Sequence, residues 1–472
     1  MASADDKHTE ILDIIEKRLI PDEAAKKARG EVFTPLNLVR EMLYGLRKSD
    51  HTQIWGMRDG VLFDDDPEDR IGGIPLDVWR NPDSKWLDPA NGIGNFPFVA
   101  FLMLDFQLSK TMKDATARKK HIVEKMLHMI EIDKGNVNTA RKIFETLAPS
   151  AKSNICCADT LKLKKEDLVR EFGVAEFDVI MGNPPFNTPR QMKGQTSTLW
   201  DKFLEYSINI VKPGGFVGII TPANWRRPES KLYTLVNANQ LLFIHIIGKR
   251  EGQKIFGATT RVDIYIIQKV NHNSNTLIID ENGILSSIDT LSFPFLPNYA
   301  FENIRNILID KSEGLKVIFS SSIYEHRKKY IKKEKTEEYK YPIAHTNTQK
   351  GIGFLYTNDP SKGHFGVSKV LLNVNEQQYP VNDFEGKYGM SQLTFGIPIS
   401  SKKEGDDIVT AINSDKFKEI IKATKWGAFQ TDYRMFNYFK PDFYKEFLPK
   451  KSVIKSRKRT FTKARRSRQR AR

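Results

Sequence analysis

Asn183, Pro184, Pro185 and Phe186 follow an apolar run, "FDVIMG", and together carry the groups needed to grip a flat ring bearing an amine. Proline cannot donate to a sheet ladder and fixes φ near about −65°, so two in succession end a strand and stiffen the chain beyond it. Asn183 offers a side-chain carbonyl acceptor, Pro184 a backbone carbonyl with no N–H of its own, and Phe186 a face for stacking. Two acceptors beside an aromatic plate suit an exocyclic amine such as N6 of adenine. Both N–H bonds could be held while the nitrogen lone pair turns toward an electrophile. A proline-rich turn between strand and helix explains the prolines but not Asn183 or Phe186.

A second group of residues suits a cofactor. In "LDPANGIGNF" Asp88 closes a strand and Gly92 and Gly94 open a helix. Glycine permits a tight turn and a close backbone approach to a ligand, and the helix N-terminus beyond it presents unpaired N–H groups. Acids recur after the next two strand candidates: Glu131 and Asp133, then Asp159. A carboxylate at the second position can accept from both hydroxyls of a ribose. The interval from Gly94 to Glu131 exceeds the roughly 20 residues of the dinucleotide fingerprint, and the third glycine is missing, so NAD is a poor fit.

These residues need a frame. Short apolar segments, "KWLD", "MLHMIEID", "NICCAD", "FDVIMG", "GFVGIIT", "LLFIHII" and "VDIYIIQK", alternate with helix-length segments such as "NVNTARKIFETL" and "TLWDKFLEYSINIV" between about residues 84 and 270. Strand and helix in alternation predict an α/β fold with a doubly wound, mostly parallel sheet, whose ligands bind beyond the carboxyl ends of the strands. The rhythm changes after residue 272, where a domain boundary is expected, and a length of 472 residues favours two domains. Near 422–440 Lys422, Lys425, Arg434 and Lys440 interleave with aromatic residues. Such a pattern suits phosphate contact and stacking, but most of these rings are expected in a core.

The formal net charge is +16, and 12 of those positive charges lie in the acid-free last 23 residues. The folded body is therefore near balance, and the tail reads as a disordered, solvated segment that could bind phosphates or serve as a nuclear address. Cys156 and Cys157 are adjacent and cannot supply a disulfide framework or a four-ligand zinc site. No apolar run reaches the roughly 18 to 20 residues of a membrane helix, and the charged N-terminus is unlike a secretory signal. An intracellular protein with no membrane partner is expected.

Taken in order, "GEVFTP" (30–35), "LDPANGIGNF" (87–96), "EID" (131–133), "AD" (158–159) and "NPPF" (183–186) resemble the gamma class of DNA adenine-N6 methyltransferases of type II restriction–modification systems. The resemblance covers about residues 28 to 270, and Asn91 departs from it where the family often has a small residue or Cys. It implies a Rossmann-like, seven-stranded S-adenosylmethionine-dependent methyltransferase domain at 28–272 and a mixed α+β target-recognition domain at 273–448. An N-terminal helix at 1–27 and a basic tail at 449–472 flank them. Thr34 and Pro35 would line the methionine part of S-adenosylmethionine, with Asp88, Pro89, Gly92 and Gly94 beneath it. Glu131, with Asp133 following, would hold the ribose, and Asp159 the cofactor's adenine amine. Asn183, Pro184, Pro185 and Phe186 would hold a target adenine swung out of duplex DNA, with no metal required. A companion restriction endonuclease is an implied partner. The location would be cytoplasmic in a prokaryote, and nuclear or in a viral factory otherwise. Protein-glutamine N5 and cytosine N4 methylation are the alternative activities, since both substrates end in a planar amine-bearing group.

Overall fold

The computed structural model describes residues 34–47, 70–187, 197–257, 260–320, 328–375, 377–427 and 430–449. The N-terminal helix expected at 1–27, the first four residues of "GEVFTP" and the basic tail from residue 450 lie outside the described residues.

The alternation in the sequence becomes one large sheet. After helix α1 (Leu36–Tyr44) come β1 (Trp86–Asp88), α2 (Asn95–Leu108), β2 (Leu127–Glu131), α3 (Lys134–Leu147), β3 (Asn154–Cys157) and β4 (Phe177–Gly182). Helix α4 (Trp200–Ile210) leads to β5 (Val211–Pro222), β6 (Gln240–Ile247) and β7 (Val262–Gln268). Two further strands follow, β8 (Thr276–Ile279) and β9 (Leu285–Ile288). Their order across the sheet is β9-β8-β6-β7-β5-β4-β1-β2-β3. Strands β1 to β5 pair in parallel, whereas β7 runs antiparallel to both β5 and β6.

The sheet is α/β and mostly parallel but has nine strands, not seven. Strand β8 pairs in parallel with β6, and β9 turns back on β8, so the sheet runs past the boundary expected near residue 272. The polar segment "NHNSNT" that suggested a boundary is a connection within the sheet.

Beyond the sheet lie two four-stranded sheets and the helices Lys402–Asn413 and Asp415–Ala423. This half is mixed α+β, but its core is not separate. One apolar cluster joins Phe177, Val217 and Trp225 of the large sheet's side to Phe295, Phe395, Phe417 and Phe436. Most of the 422–440 rings belong to it: Trp426, Phe436 and Phe439 are buried. Phe429 lies outside the described residues.

Helix α2 is apolar all round and buried from Phe96 to Leu104 because it packs between the sheet and neighbouring helices. It thereby fixes the glycine turn at its start.

Candidate functional site

The carboxyl ends of β1, β2, β3 and β4 surround a cavity of about 720 Å³, within the roughly 300–1,000 Å³ range of small-molecule sites. Its wall carries Thr34, Pro89, Gly92, Glu131 and Asp159 together with Asn183, Pro184, Pro185 and Phe186. The glycine turn and the proline corner therefore share one open space. Pro35, Asp88, Gly94 and Asp133 are not on that wall.

The turn after β1 is built on backbone that only glycine adopts readily. Gly92 has φ 56° and Gly94, the residue before α2, has φ 104°. The Glu131 carboxylate braces it, accepting from the Gly92 N–H at 2.7 Å with Oε2 and from the Asp133 N–H at 2.8 Å with Oε1. One carboxylate thus ties the ends of two neighbouring strands. A carboxylate can accept several hydrogen bonds at once, which suits the hydroxyls of a ligand.

Asp88 and Asp133 lie behind the cavity for different reasons. Asp88 is 1 % exposed, and its Oδ1 accepts from the Ala90 N–H at 3.0 Å. Burial pushes its carboxyl well above the usual carboxylate range; the Ala90 N–H opposes this and the Glu131 carboxylate adds to it. The strand beside it is close at Gly182, where a Cβ would stand 3.0 Å from Asp88 Oδ1, tighter than an ordinary contact. Asp133 caps α3, accepting from the Asn136 N–H at 3.0 Å. Asp159 caps the short helix Thr160–Lys162, and at the rim its Oδ2 meets Lys162 Nζ at 3.1 Å.

At the corner, Asn183 Nδ2 donates to Thr34 Oγ1 at 3.1 Å, which orients the amide with its carbonyl on the opposite side. Phe186 is half-buried and packs against both large apolar clusters, so its ring is held. Its carbonyl accepts from the Leu199 N–H at 3.1 Å, closing the chain back toward α4.

Among the wall residues not singled out as ligands from sequence are Asn91, Asn95, Ile132, Lys202 and Phe203. Asn91 and Asn95 are each 5 % exposed. Their Nδ2 groups donate to the Gly92 and Thr34 carbonyls, while Asn91 Oδ1 and Asn95 Oδ1 meet no donor among the described residues. Buried acceptors without donors are costly, and their clustering suits a ligand rich in N–H groups or positive charge. Ile132 is 69 % exposed between two acids, an apolar plate where a polar strand-end residue is ordinary. That mismatch was its signal in the sequence.

The donor set thus fits S-adenosylmethionine in kind: a carboxylate for hydroxyls, an apolar plate for a ring, and acceptors for a cationic end. Among the described residues no group of three His, Cys, Asp or Glu could hold a metal ion, and no helix is long and apolar enough to cross a membrane.

Residues 99–256 match the Eco57I restriction-modification methylase family. This segment contains the proline corner, Glu131 and Asp159. An uncharacterised adenine-specific methylase of Mycoplasma pneumoniae (strain ATCC 29342 / M129 / Subtype 1) is 25% identical over 260 residues, covering 41% of this chain and 55% of that protein. The chain therefore spans little more than half the length of this relative.

Among solved structures, the ATP-dependent type ISP restriction-modification enzyme LlaBIII bound to DNA aligns with a TM-score of 0.52 at 14% identity, covering 93% of this chain and 40% of that one. A nuclease-deletion mutant of the type ISP enzyme LlaGI, in complex with a DNA substrate mimic, aligns at 0.51 and 13%, covering 88% and 46%. At such identities the likeness is one of fold. It extends over most of the chain.

Proposed function

We propose that the chain transfers a methyl group from S-adenosylmethionine to N6 of an adenine extruded from duplex DNA. The observation that carries this reading is the single cavity shared by the glycine turn and the Asn183 corner. S-adenosylmethionine supplies an electrophilic methyl carbon on a sulfonium. Glu131 and the Gly92 turn hold the ribose end, Asp159 and Ile132 the adenine end, and Asn91 and Asn95 the charged end.

Opposite them, Asn183 Oδ1 and the Pro184 carbonyl accept the two N–H bonds of the substrate amine, and Phe186 stacks on its ring. An aromatic amine is a weak nucleophile because its lone pair is conjugated. Two acceptors favour a pyramidal nitrogen and strengthen as positive charge develops on it, so they act mainly in the transition state. Alignment of amine and methyl is the remaining contribution. Extrusion costs a few kcal/mol, which stacking on Phe186 partly offsets.

On this reading the C-terminal half, from the end of the large sheet to about residue 448, contacts DNA and selects the sequence. A restriction endonuclease acting at the same site is the natural partner, and the location is wherever the DNA lies. The adenine-specific relative favours adenine over cytosine N4 or protein glutamine.

Long-read modification mapping of DNA from cells expressing the chain tests the proposal, with labelled cofactor offered in parallel to plasmid DNA and a glutamine-containing peptide. N6-methyladenine at one recurring sequence is expected. N4-methylcytosine, or label on the peptide alone, overturns it.

A further inference from the structure

We propose that Thr34 is a positioning residue for Asn183, holding that amide in place at the cavity wall, rather than a ligand of the cofactor. This deepens the methyl-transfer reading and rests on it. Thr34 is 3 % exposed and is gripped twice by asparagine amides. Asn183 Nδ2 donates to its hydroxyl oxygen at 3.1 Å, and Asn95 Nδ2 donates to its backbone carbonyl at 2.9 Å.

The support behind Thr34 is rigid. Pro35 follows it and precedes α1, whose Val39 N–H donates to the Pro35 carbonyl at 3.1 Å. Leu38, Val39, Met42 and Leu43 of α1 are buried in the core beneath the sheet. The backbone of Thr34 is therefore held from two sides, by α1 and by the first residue of α2.

A carboxamide is nearly symmetric in shape but not in chemistry. Turned by half a revolution, Asn183 would fill the same volume and present NH₂ where its carbonyl had been. Two N–H groups would then face the substrate amine's own N–H bonds, and the acceptor needed as charge develops on nitrogen would be lost. Thr34 Oγ1 engages Nδ2 and holds the amide against movement out of the site. Its role is exercised through Asn183.

Thr34→Val keeps the shape and removes the acceptor; Thr34→Ser keeps the hydroxyl. Steady-state kinetics with substrate DNA should give a kcat about 10- to 100-fold lower for Thr34→Val. Cofactor dissociation, measured calorimetrically, should be nearly unchanged, and Thr34→Ser should retain most of kcat. In the Asn183→Ala background Thr34→Val should cost nothing further. Weaker cofactor binding with kcat retained makes Thr34 a cofactor ligand and overturns the inference. So does equal impairment by Ser and Val, or a full additional loss in the Asn183→Ala background.

If the wild type methylates no DNA, the functional reading fails separately, and the Asn183 side-chain amide still tests the contact. Its ¹⁵N–¹H pair, identified by its disappearance in Asn183→Ala, should shift and exchange faster with water in Thr34→Val but not in Thr34→Ser. An unmoved pair overturns the inference.

Discussion

At the scale of single residues, the proposed methyl transfer divides the site into side chains that would face the substrate and those that brace them. Asn183 belongs to the first kind. Asn183→Ala removes an acceptor used chiefly in the transition state, so kcat should fall about 10²–10³-fold while calorimetric cofactor affinity stays near wild type. Asp88 belongs to the second. Its carboxyl is raised far above its unfolded value by burial, so the folded chain holds a proton that the unfolded chain has released. The stability Asp88 contributes is complete at pH below about 3.8, the ordinary carboxylate value, and is lost as pH rises through the folded value. Asp88→Asn keeps the Oδ1 acceptor for Ala90 and cannot ionise. Its melting temperature relative to wild type should therefore increase from pH 5 to pH 8, as followed by thermal denaturation, and a constant difference would contradict the assignment.

At the scale of elements, strand ends and helix starts set the geometry. Strand β1 ends, the chain turns through two left-handed glycines, and α2 begins. At Gly94 a Cβ would find its nearest neighbour 3.6 Å away, so space is not the constraint. The φ of 104° is. Gly94→Ala should therefore cost about 1–2 kcal/mol in urea unfolding through backbone strain alone, with a larger effect on cofactor affinity than on the rest of the fold. The period-2 and period-3.6 patterns made the strands and helices legible: "FDVIMG" is β4 residue for residue, and "NVNTARKIFETL" differs from α3 by two residues at its start. The proline corner was legible because two prolines leave few conformations. The caps were not, because an acid at a strand end reads the same whether it turns toward a ligand or, as Asp133 does, onto its own helix.

At the scale of the whole molecule, a buried ion pair fastens the large sheet to the C-terminal half. Arg226, just past β5, and Asp263 of β7 are both fully buried, with Nε to Oδ2 at 2.7 Å and Nη2 to Oδ1 at 3.0 Å. The other guanidinium N–H groups reach the carbonyls of Leu296 and Pro297 and Oδ1 of Asn298. Asn298 in turn meets the Ala423 and Lys425 carbonyls. Desolvation outweighs the attraction of Arg226 and lifts the Asp263 carboxyl above its ordinary value. Arg226→Ala strands that carboxylate and should cost about 3–5 kcal/mol by urea denaturation at pH 8, less at pH 5 where Asp263 can take up a proton. A loss under 1 kcal/mol, or one independent of pH, would count against this clamp.

The order of strands and helices, the two glycines and the stiff corner follow from the amino-acid sequence alone, because periodicity, missing Cβ atoms and proline rings act locally. Three matters needed the tertiary structure. The large sheet gains β8 and β9 beyond residue 272, since strand pairing depends on which edge is open and not on the composition of the connection before it. The second half shares a core with the first because apolar residues carry no record of which surface they will meet. And Thr34 stands beside Asn183, 149 positions away, because a hydrogen bond between distant residues exists only once the helices and strands that carry them have packed.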